Sequence, residues 1–146
     1  MMRVLIDADG CPVVPIAVKL CKQTNTPCLI LCDTSHRIEY DGVETLIFDK
    51  GSDSVDFALV NLVKENDIVI TQDYGLASMC LAKKARVIHQ DGYEYTDENI
   101  DALLTFRHTA AKLRRSGERF HTQKKRTAEQ NRAFSAKFLS FLRTST

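Results

Sequence analysis

Short aliphatic runs recur along the chain between segments with helical periodicity. Each run is four or five residues long, is rich in Val and Ile, and ends at or just before a polar residue. The runs cover residues 3–6, 28–32, 44–48, 67–71 and 86–89. Continuous apolar runs of this length are typical of parallel strands that are buried on both faces of a sheet. The pattern therefore predicts a mostly parallel sheet of about five strands.

Helical patterns separate these predicted strands. Pro12 is tolerated in the first turn of a helix and opens one predicted over 13–23. A second helix follows from an apolar stripe with helical spacing. The stripe consists of Val55, Leu59, Leu62 and Val63. A third helix is predicted over 75–84. Strands joined by such helices imply right-handed crossovers, so we expect a three-layer α/β/α sandwich with helices on both faces of the sheet.

The residues after the last predicted strand have a different character. Thr96 or Asp97 is suited to cap a helix that directs Ile100, Leu103 and Leu104 inward and becomes basic toward Arg115. Residues 116–127 are predicted to form an exposed loop. A final helix is expected to dock on the body through a stripe of apolar side chains. These are Phe134, Phe138, Phe141 and Leu142. We therefore divide the chain into an α/β domain over 1–106 and a basic helical extension over 107–146 packed on it.

Charge is divided unevenly between these two parts. The 146 residues fit one domain, and their net charge of +1 points to no particular partner. Residues 1–106, however, contain 9 Lys+Arg and 17 Asp+Glu, a net charge of −8, whereas residues 107–146 contain 11 and 2, a net charge of +9. An acidic part followed by a basic part fits a protein that binds nucleic acid.

Cysteine usage and the N-terminus limit the compartment. The 5 cysteines form no CxxC pair and no zinc-ligand spacing, so free thiols in a reducing cytosol are expected. Asp7 interrupts the first apolar residues too early for a signal peptide, and no apolar run approaches the about 18 residues that span a bilayer. We expect a cytoplasmic protein that has no membrane partner.

Acidic residues collect where a parallel sheet builds its binding crevice, beyond the carboxyl ends of the strands. Asp7 directly follows the first strand, and Asp9 lies two residues further on. Asp73 follows the fourth strand, while Asp53 and Asp56 lie three residues apart at a helix start and so share a face. Three separate segments are therefore predicted to bring five carboxylates to one end of the sheet.

Each of these acids has a simpler structural interpretation. Asp53 and Asp56 fit a capping pair worth about 1 kcal/mol, and Asp9 or Asp73 fits the cap of the helix that follows it. Together, however, like charges in a small cleft raise one another's pKa unless a cation neutralises them. Oxygen ligands without His or thiolate suit Mg²⁺ or Mn²⁺. The chemistry predicted for such a cofactor is metal-assisted phosphodiester hydrolysis, which makes the chain a candidate enzyme.

Four segments in order along the chain resemble one protein family. They read DADGCPV at 7–13, GSDSVDFAL at 51–59, DIVITQDYGLA at 67–77 and HQDGYEYTDENID at 89–101. Their combination resembles the YaiI/YqxD family of uncharacterised bacterial proteins. That family is grouped with the PIN-like domains, which have a parallel sheet sandwiched by helices and whose better-known members are metal-dependent ribonucleases.

The resemblance assigns roles to several acids. It implies that Asp7, Asp53 or Asp56, and Asp73 form the metal site, with Asp9 as an additional acid. The chain departs from the family at 118–125, where ERFHTQKK replaces a segment with Gly and Pro, and Asp91 stands where Asn is expected, so Asp91 is not assigned to the site.

The basic extension is the predicted nucleic-acid interface. Its cations are suited to hold a phosphate backbone beside an acidic cleft, although a solvated surface is the simpler alternative. The residues assigned to binding are Arg107, Lys112, Arg114, Arg115, Lys124, Lys125 and Arg126. Aromatic residues for base stacking are few there, so base-specific recognition by this segment is not expected. The predicted partner is single-stranded RNA; a homo-oligomer and a protein inhibitor remain open.

Three other functions compete with a nuclease. A haloacid-dehalogenase-like phosphatase would use Asp7 as nucleophile and Asp9 as acid/base, although Cys11 stands where that motif usually has a hydroxyl residue. A phosphatase or redox role for Cys11 itself has neither a CxxC partner nor a phosphate-binding loop to support it. A protein that binds RNA or metal without catalysis would keep the same acids and the same basic segment.

Overall fold

A six-stranded sheet forms the centre of the molecule. The computed structural model describes residues 2–35, 38–49, 54–102, 105 and 125–144. Within these residues the strands lie in the order β3-β2-β1-β4-β5-β6. The strands are β1 (Val4–Asp7), β2 (Cys28–Asp33), β3 (Glu44–Phe48), β4 (Ile68–Ile70), β5 (Arg86–Ile88) and β6 (Glu94–Tyr95). Strands β1 to β5 pair in parallel, and β6 is antiparallel to β5.

Helices cover both faces of this sheet. They are α1 (Val14–Gln23), α2 (Ser54–Leu62), α3 (Tyr74–Ala82), α4 (residues 97–102) and α5 (Ala128–Thr144). Helices α1 and α5 contact each other and pack with one core cluster, while α2 and α3 pack with the other. The predicted three-layer α/β/α fold with a mostly parallel sheet is therefore confirmed. Leu103, Leu104 and residues 116–124 of the predicted loop lie outside the described residues.

The central strands contribute alternate residues to the two cores. Val4 and Ile6 of β1 belong to the cluster under α1 and α5, whereas Leu5 between them belongs to the cluster under α2 and α3. Successive side chains of a strand point to opposite faces, so a sheet covered on both sides needs apolar residues at every position. This burial explains the continuous apolar runs of the sequence.

Helix α5 is part of the core. Phe134, Phe138 and Phe141 are fully buried, and the Arg86 guanidinium lies 3.8 Å from the centre of the Phe141 ring. The predicted docking of this helix through its phenylalanines is thus confirmed. The turn between β5 and β6 also packs on α5: Gly92 has a φ of +94°, and a Cβ there would lie 2.6 Å from the carbonyl carbon of Ala133.

One acid at the amino ends of the strands is structural. Asp67 is 1% exposed and accepts hydrogen bonds from the backbone N–H of Lys64 at 2.9 Å and from Nε of Arg3 at 3.2 Å. It joins the starts of β1 and β4, at the end of the sheet opposite to the predicted site. In the described part of the chain, no helix has the length and apolar character needed to cross a bilayer.

Candidate functional site

The carboxyl ends of β1 and β4 lie side by side and bring two of the predicted acids together. Ile6 pairs with Ile70, so the next residues, Asp7 and Thr71, are neighbours. The Thr71 hydroxyl donates a hydrogen bond to Oδ2 of Asp7 at 2.7 Å and accepts one from the backbone N–H of Asp73 at 3.0 Å. Thr71 is 1% exposed and thereby connects Asp7 with the loop that carries Asp73.

Asp7 is the electrostatic centre of the site. Burial is the largest influence on its pKa, which is raised from 3.8 to about 7. The hydrogen bond from Thr71 lowers the pKa, and the negative charges of Asp56, Asp73 and Asp9 raise it further. Three other predicted acids are therefore close enough to Asp7 for their charges to affect it. We call Asp7, Asp9, Asp56 and Asp73 the acidic cluster. Asp53, the fifth predicted acid, lies outside the described residues.

Asp9 is held by the neighbouring strand. The β1–β2 ladder extends past β1, because the N–H of Ala8 donates to the carbonyl of Leu31 at 3.0 Å. Both carboxylate oxygens of Asp9 consequently accept the N–H of Asp33, at 3.2 and 3.0 Å. The possibility that Asp9 caps α1 is wrong, since the N-cap of that helix is Val13, without a side-chain hydrogen bond.

Asp73 and Asp56 occupy the starts of helices. Oδ1 of Asp73 accepts the N–H groups of Gly75 at 2.9 Å and Leu76 at 3.2 Å, so the predicted cap of α3 is confirmed. Asp56 lies in the first turn of α2, where a negative charge interacts favourably with the helix dipole. Both acids thus have a structural role in addition to their place in the acidic cluster.

The predicted metal ligands do not form a metal site within the described residues. Among the described residues, no group of three or more His, Cys, Asp or Glu is arranged to hold a metal ion. The donors of the acidic cluster are carboxylate oxygens, the type of ligand that Mg²⁺ and Mn²⁺ prefer. Burial is the main cause of the raised pKa of Asp7, and the charges of its acidic neighbours add to it; a divalent cation would lower this pKa by pairing with the ionised carboxylate.

The described end of the basic extension contains two predicted binding residues with different surroundings. Lys125 is exposed. The Arg126 guanidinium donates to the carboxylate of Asp91 at 2.8 Å, to the carbonyl of Gln90 at 2.6 Å and to Oδ1 of Asn131 at 2.7 Å. Arg126 therefore anchors the start of α5 to the β5–β6 turn. Asp91, excluded from the predicted site, is its ion-pair partner.

The other predicted binding residues lie outside the described part of the chain. They are Arg107, Lys112, Arg114, Arg115 and Lys124.

An aromatic cluster that the sequence analysis missed supports the site. The Tyr95 hydroxyl donates to the Thr71 carbonyl at 3.2 Å, and the rings of His89 and Tyr93 stack with centres 4.4 Å apart. Burial lowers the pKa of His89, whose Nδ1 accepts the N–H of Asp91 at 2.9 Å. Residues 93 and 95 alternate in the manner of a strand, which is the one sequence signal for this cluster.

The Cys11 thiol is protonated at neutral pH. The pKa of this thiol is raised to about 11, mainly by burial and to a smaller extent by the charge of Asp7. The N–H of Val13 and the charge of Arg126 oppose this increase. Because the thiolate is the reactive form, these surroundings do not suit a nucleophile.

Comparisons with known proteins identify the family. The family model described as "Uncharacterized BCR, YaiI/YqxD family" matches residues 5–144. A UPF0178 protein of Ruminiclostridium cellulolyticum is 47% identical over 143 residues, which cover 97% of this chain and 93% of that protein. UPF0178 proteins of Exiguobacterium sibiricum and Bacillus cereus are 43% and 40% identical over 97% of the chain, with 96% and 99% of their own lengths covered. No solved structure matches. The chain belongs to the YaiI/YqxD family.

Proposed function

We propose that the acidic cluster is the active site of a metal-dependent phosphodiesterase that hydrolyses single-stranded RNA. The observation that carries this proposal is that the carboxyl ends of β1 and β4 bring Asp7 and the loop of Asp73 together through Thr71, close enough to Asp56 and Asp9 for their charges to affect Asp7. Three segments of the chain bring the charges of Asp9, Asp56 and Asp73 close enough to Asp7 to raise its pKa, and helix capping alone does not require these acids to converge. Divalent cations and the phosphates that accompany them are the ligands that such a field favours.

Asp7, Asp56 and Asp73, together with Asp53 just before α2, would hold Mg²⁺ or Mn²⁺. The bound ion would supply an activated water and stabilise the leaving oxygen of the phosphodiester. Asp7 must lose its proton to act as a ligand, and its pKa is about 7. Metal affinity is therefore expected to increase as the pH rises through about 7.

The environment of Asp9 favours a nuclease over a phosphatase of the haloacid-dehalogenase type. In that phosphatase Asp9 would exchange protons with the substrate. Here both of its oxygens accept the N–H of Asp33, which fixes the turn that follows Asp7. Asp9 is suited to position Asp7 and add negative charge. The partly buried, protonated thiol of Cys11 gives no support to a cysteine mechanism.

The basic extension would hold the substrate's phosphate backbone. Lys125 is exposed and available to a polyanion, whereas Arg126 has three acceptors within the protein. Arg126 would therefore act by fixing the start of α5. The charge of +9 on residues 107–146 makes phosphate binding by the remaining cations favourable at low salt.

The test is cleavage of a 5′-labelled single-stranded RNA by the purified full-length chain with Mn²⁺ or Mg²⁺. Asp7→Asn and Asp73→Asn should abolish cleavage, as should EDTA. Asn caps helices about as well as Asp, so Asp73→Asn removes the charge while it retains the cap. Asp41→Asn is the matched control, because Asp41 is an exposed acid on the turn before β3.

Each alternative gives a different result in the same assay. Cleavage that persists in both cluster variants would refute the assignment of the site. Turnover of a small phosphomonoester without cleavage of RNA or DNA would favour a phosphatase. RNA binding without cleavage in any metal would leave a non-catalytic binding protein.

A further inference from the structure

Two cysteines from consecutive elements lie side by side at the amino ends of the strands. Cys21 is in the last turn of α1, and Cys28 is the first residue of β2. The Cys21 thiol donates a hydrogen bond to the sulfur of Cys28. Cys28 is paired with Val4 at the start of β1, so the two thiols lie at the end of the sheet opposite to the acidic cluster.

The turn between α1 and β2 holds these two cysteines next to each other. On the helix side, the N–H of Thr26 donates to the carbonyl of Cys21 at 2.9 Å. On the sheet side, the N–H of Val4 donates to the carbonyl of Pro27 at 2.9 Å. The hydroxyls of Thr24 and Thr26 are hydrogen-bonded 2.8 Å apart within the turn. Since both ends of the turn are tied to regular structure, the contact between the thiols is part of the fold.

The two thiols differ in exposure and in protonation. Cys21 is fully buried in the core under α1 and α5, whereas Cys28 is only partly buried against the same core. The hydrogen bond from Cys21 lowers the pKa of Cys28, and burial opposes this effect. The pKa is raised in every other cysteine of the chain, all of which lie in the described residues: Cys11, Cys21, Cys32 and Cys80. Cys28 is therefore the thiol best suited to react with an oxidant from solution.

We propose that Cys28 and Cys21 are a redox site that a hydroperoxide converts reversibly into a disulfide. A thiol with a lowered pKa, partly accessible and in contact with a second thiol, is the arrangement typical of redox-sensing cysteines. The reduced form is the one in the structure. The site lies at the opposite end of the sheet from the acidic cluster, so this proposal and the proposed nuclease activity can fail independently.

The reaction has two steps. In the first, the Cys28 thiolate attacks one oxygen of hydrogen peroxide, the O–O bond breaks, and the hydroxide that leaves takes up a proton to become water. Cys28 is then a sulfenic acid. In the second, the Cys21 sulfur attacks the sulfur of Cys28, the S–O bond breaks and the S–S bond forms, while the Cys21 proton leaves with the hydroxyl group as a second water. The two thiols lose two electrons and the peroxide gains them. A dithiol reductant reverses the change by thiol–disulfide exchange.

Mass spectrometry of the full-length chain after exposure to hydrogen peroxide at pH 7 tests the site. The remaining thiols are blocked with iodoacetamide before digestion with trypsin, which cleaves after Lys22 between the two cysteines. The wild type should give residues 20–22 linked to residues 23–37 through Cys21 and Cys28, and dithiothreitol should release them. Cys11→Ser is the matched control, because Cys11 is also partly buried, and it should form the same link as the wild type.

Two variants separate the roles of the two thiols. Cys28→Ser should leave Cys21 reduced, because Cys21 is fully buried. Cys21→Ser keeps a hydroxyl that can donate to Cys28 but cannot form a disulfide, so Cys28 should accumulate as a sulfenic acid that dimedone traps. Without peroxide, iodoacetamide should label Cys28 of the wild type at least about tenfold faster than Cys11.

Four results would overturn the proposal. The first is a wild type that forms no link between Cys21 and Cys28 at peroxide concentrations that oxidise its methionines. The second is oxidation of Cys21 in Cys28→Ser at the rate found in the wild type. The third is Cys21→Ser without a dimedone adduct on Cys28. The fourth is labelling of Cys28 no faster than that of Cys11, which would show an unreactive thiol that only fills the core.

Discussion

Asp7→Asn is predicted to stabilise the protein at alkaline pH while it removes the central acid of the cluster. In the folded chain, burial and then the charges of Asp56, Asp73 and Asp9 raise the pKa of Asp7 from 3.8 to about 7, against the opposing effect of Thr71. One pKa unit corresponds to about 1.4 kcal/mol, so ionised Asp7 destabilises the fold by about 4 kcal/mol above pH 7. Asn is neutral at every pH, and its amide oxygen can still accept the Thr71 hydroxyl.

The direction of the pH dependence follows from proton binding. Between about pH 4 and pH 7 the folded chain keeps the proton on Asp7 and the unfolded chain has lost it. Stability from this group is fully present below pH 3.8 and is lost as the pH rises through about 7. From pH 5 to pH 8 the loss amounts to about 2–3 kcal/mol in the wild type and is absent in the variant.

Urea unfolding of both proteins at pH 5 and pH 8 measures this difference. The free energy of unfolding of Asp7→Asn, relative to that of the wild type, should increase by about 2–3 kcal/mol between pH 5 and pH 8. This difference corresponds to roughly 5–10 °C in Tm for a chain of this length. Asp41→Asn, an exposed control, should leave the pH dependence as in wild type. If the two proteins differ in free energy of unfolding by the same amount at pH 5 and pH 8, the pKa of Asp7 is not raised.

Divalent ions extend the same measurement to the proposed function. A metal that binds the folded wild type, and not Asp7→Asn, stabilises only the wild type. Millimolar Mn²⁺ at pH 8 should therefore reduce the difference in free energy of unfolding between the wild type and Asp7→Asn. If Mn²⁺ leaves this difference unchanged, Asp7 does not bind the metal, even if the stability of the wild type depends on pH as predicted.

Three further predictions concern the β5–β6 turn, α5 and Cys11. Gly92→Ala should destabilise the fold by about 3 kcal/mol or more in urea unfolding, because its Cβ would lie 2.6 Å from the α5 backbone, whereas Gly42→Ala, with φ +78° and nothing within 4 Å, should lose only about 1–2 kcal/mol. Arg126→Met should lower the free energy of unfolding by about 2–3 kcal/mol, because its charged hydrogen bonds are lost. Lys125→Met should lower it by less than about 0.5 kcal/mol and weaken the salt dependence of RNA binding. Equal losses of stability in the two variants would refute the role of Arg126 in fixing the start of α5. Cys11 should react with iodoacetamide at neutral pH more slowly than a free cysteine, since burial raises its pKa to about 11, and rapid labelling would contradict this.

The strands could be predicted because burial on both faces leaves a direct record in the sequence. All three residues of β4 are fully buried, and its apolar run is continuous. Strand β6 leaves no such record, since it is only Glu94–Tyr95. Its position depends on the contact of the Gly92 turn with α5, between residues about forty positions apart. Local patterns do not report contacts of that range.

The location of the acids and the cap formed by Asp73 could also be predicted, but the hydrogen bonds of Asp7 and Asp9 could not. The ends of β1 and β4 place Asp7 and Asp73 at the same edge for any parallel pairing of these strands. That Asp9 binds the N–H of Asp33 depends on which strand lies on the other side of β1 and in which register. The role of Thr71 could not be predicted for a similar reason, because a threonine at a strand end is common and becomes notable only when its hydroxyl donates to Asp7.

Capping and chemistry are not alternatives for Asp73. Its Oδ1 caps α3, and its charge simultaneously raises the pKa of Asp7. A cap requires an oxygen that accepts N–H groups, while an electrostatic role requires a negative charge. Asn satisfies the first requirement and not the second. Asp73→Asn should therefore leave α3 intact and lower the pKa of Asp7, whereas Asp73→Ala should lose the cap as well, at about 1 kcal/mol. If both variants lose the same stability and leave the titration of Asp7 unchanged, the charge of Asp73 has no role beyond the helix that it caps.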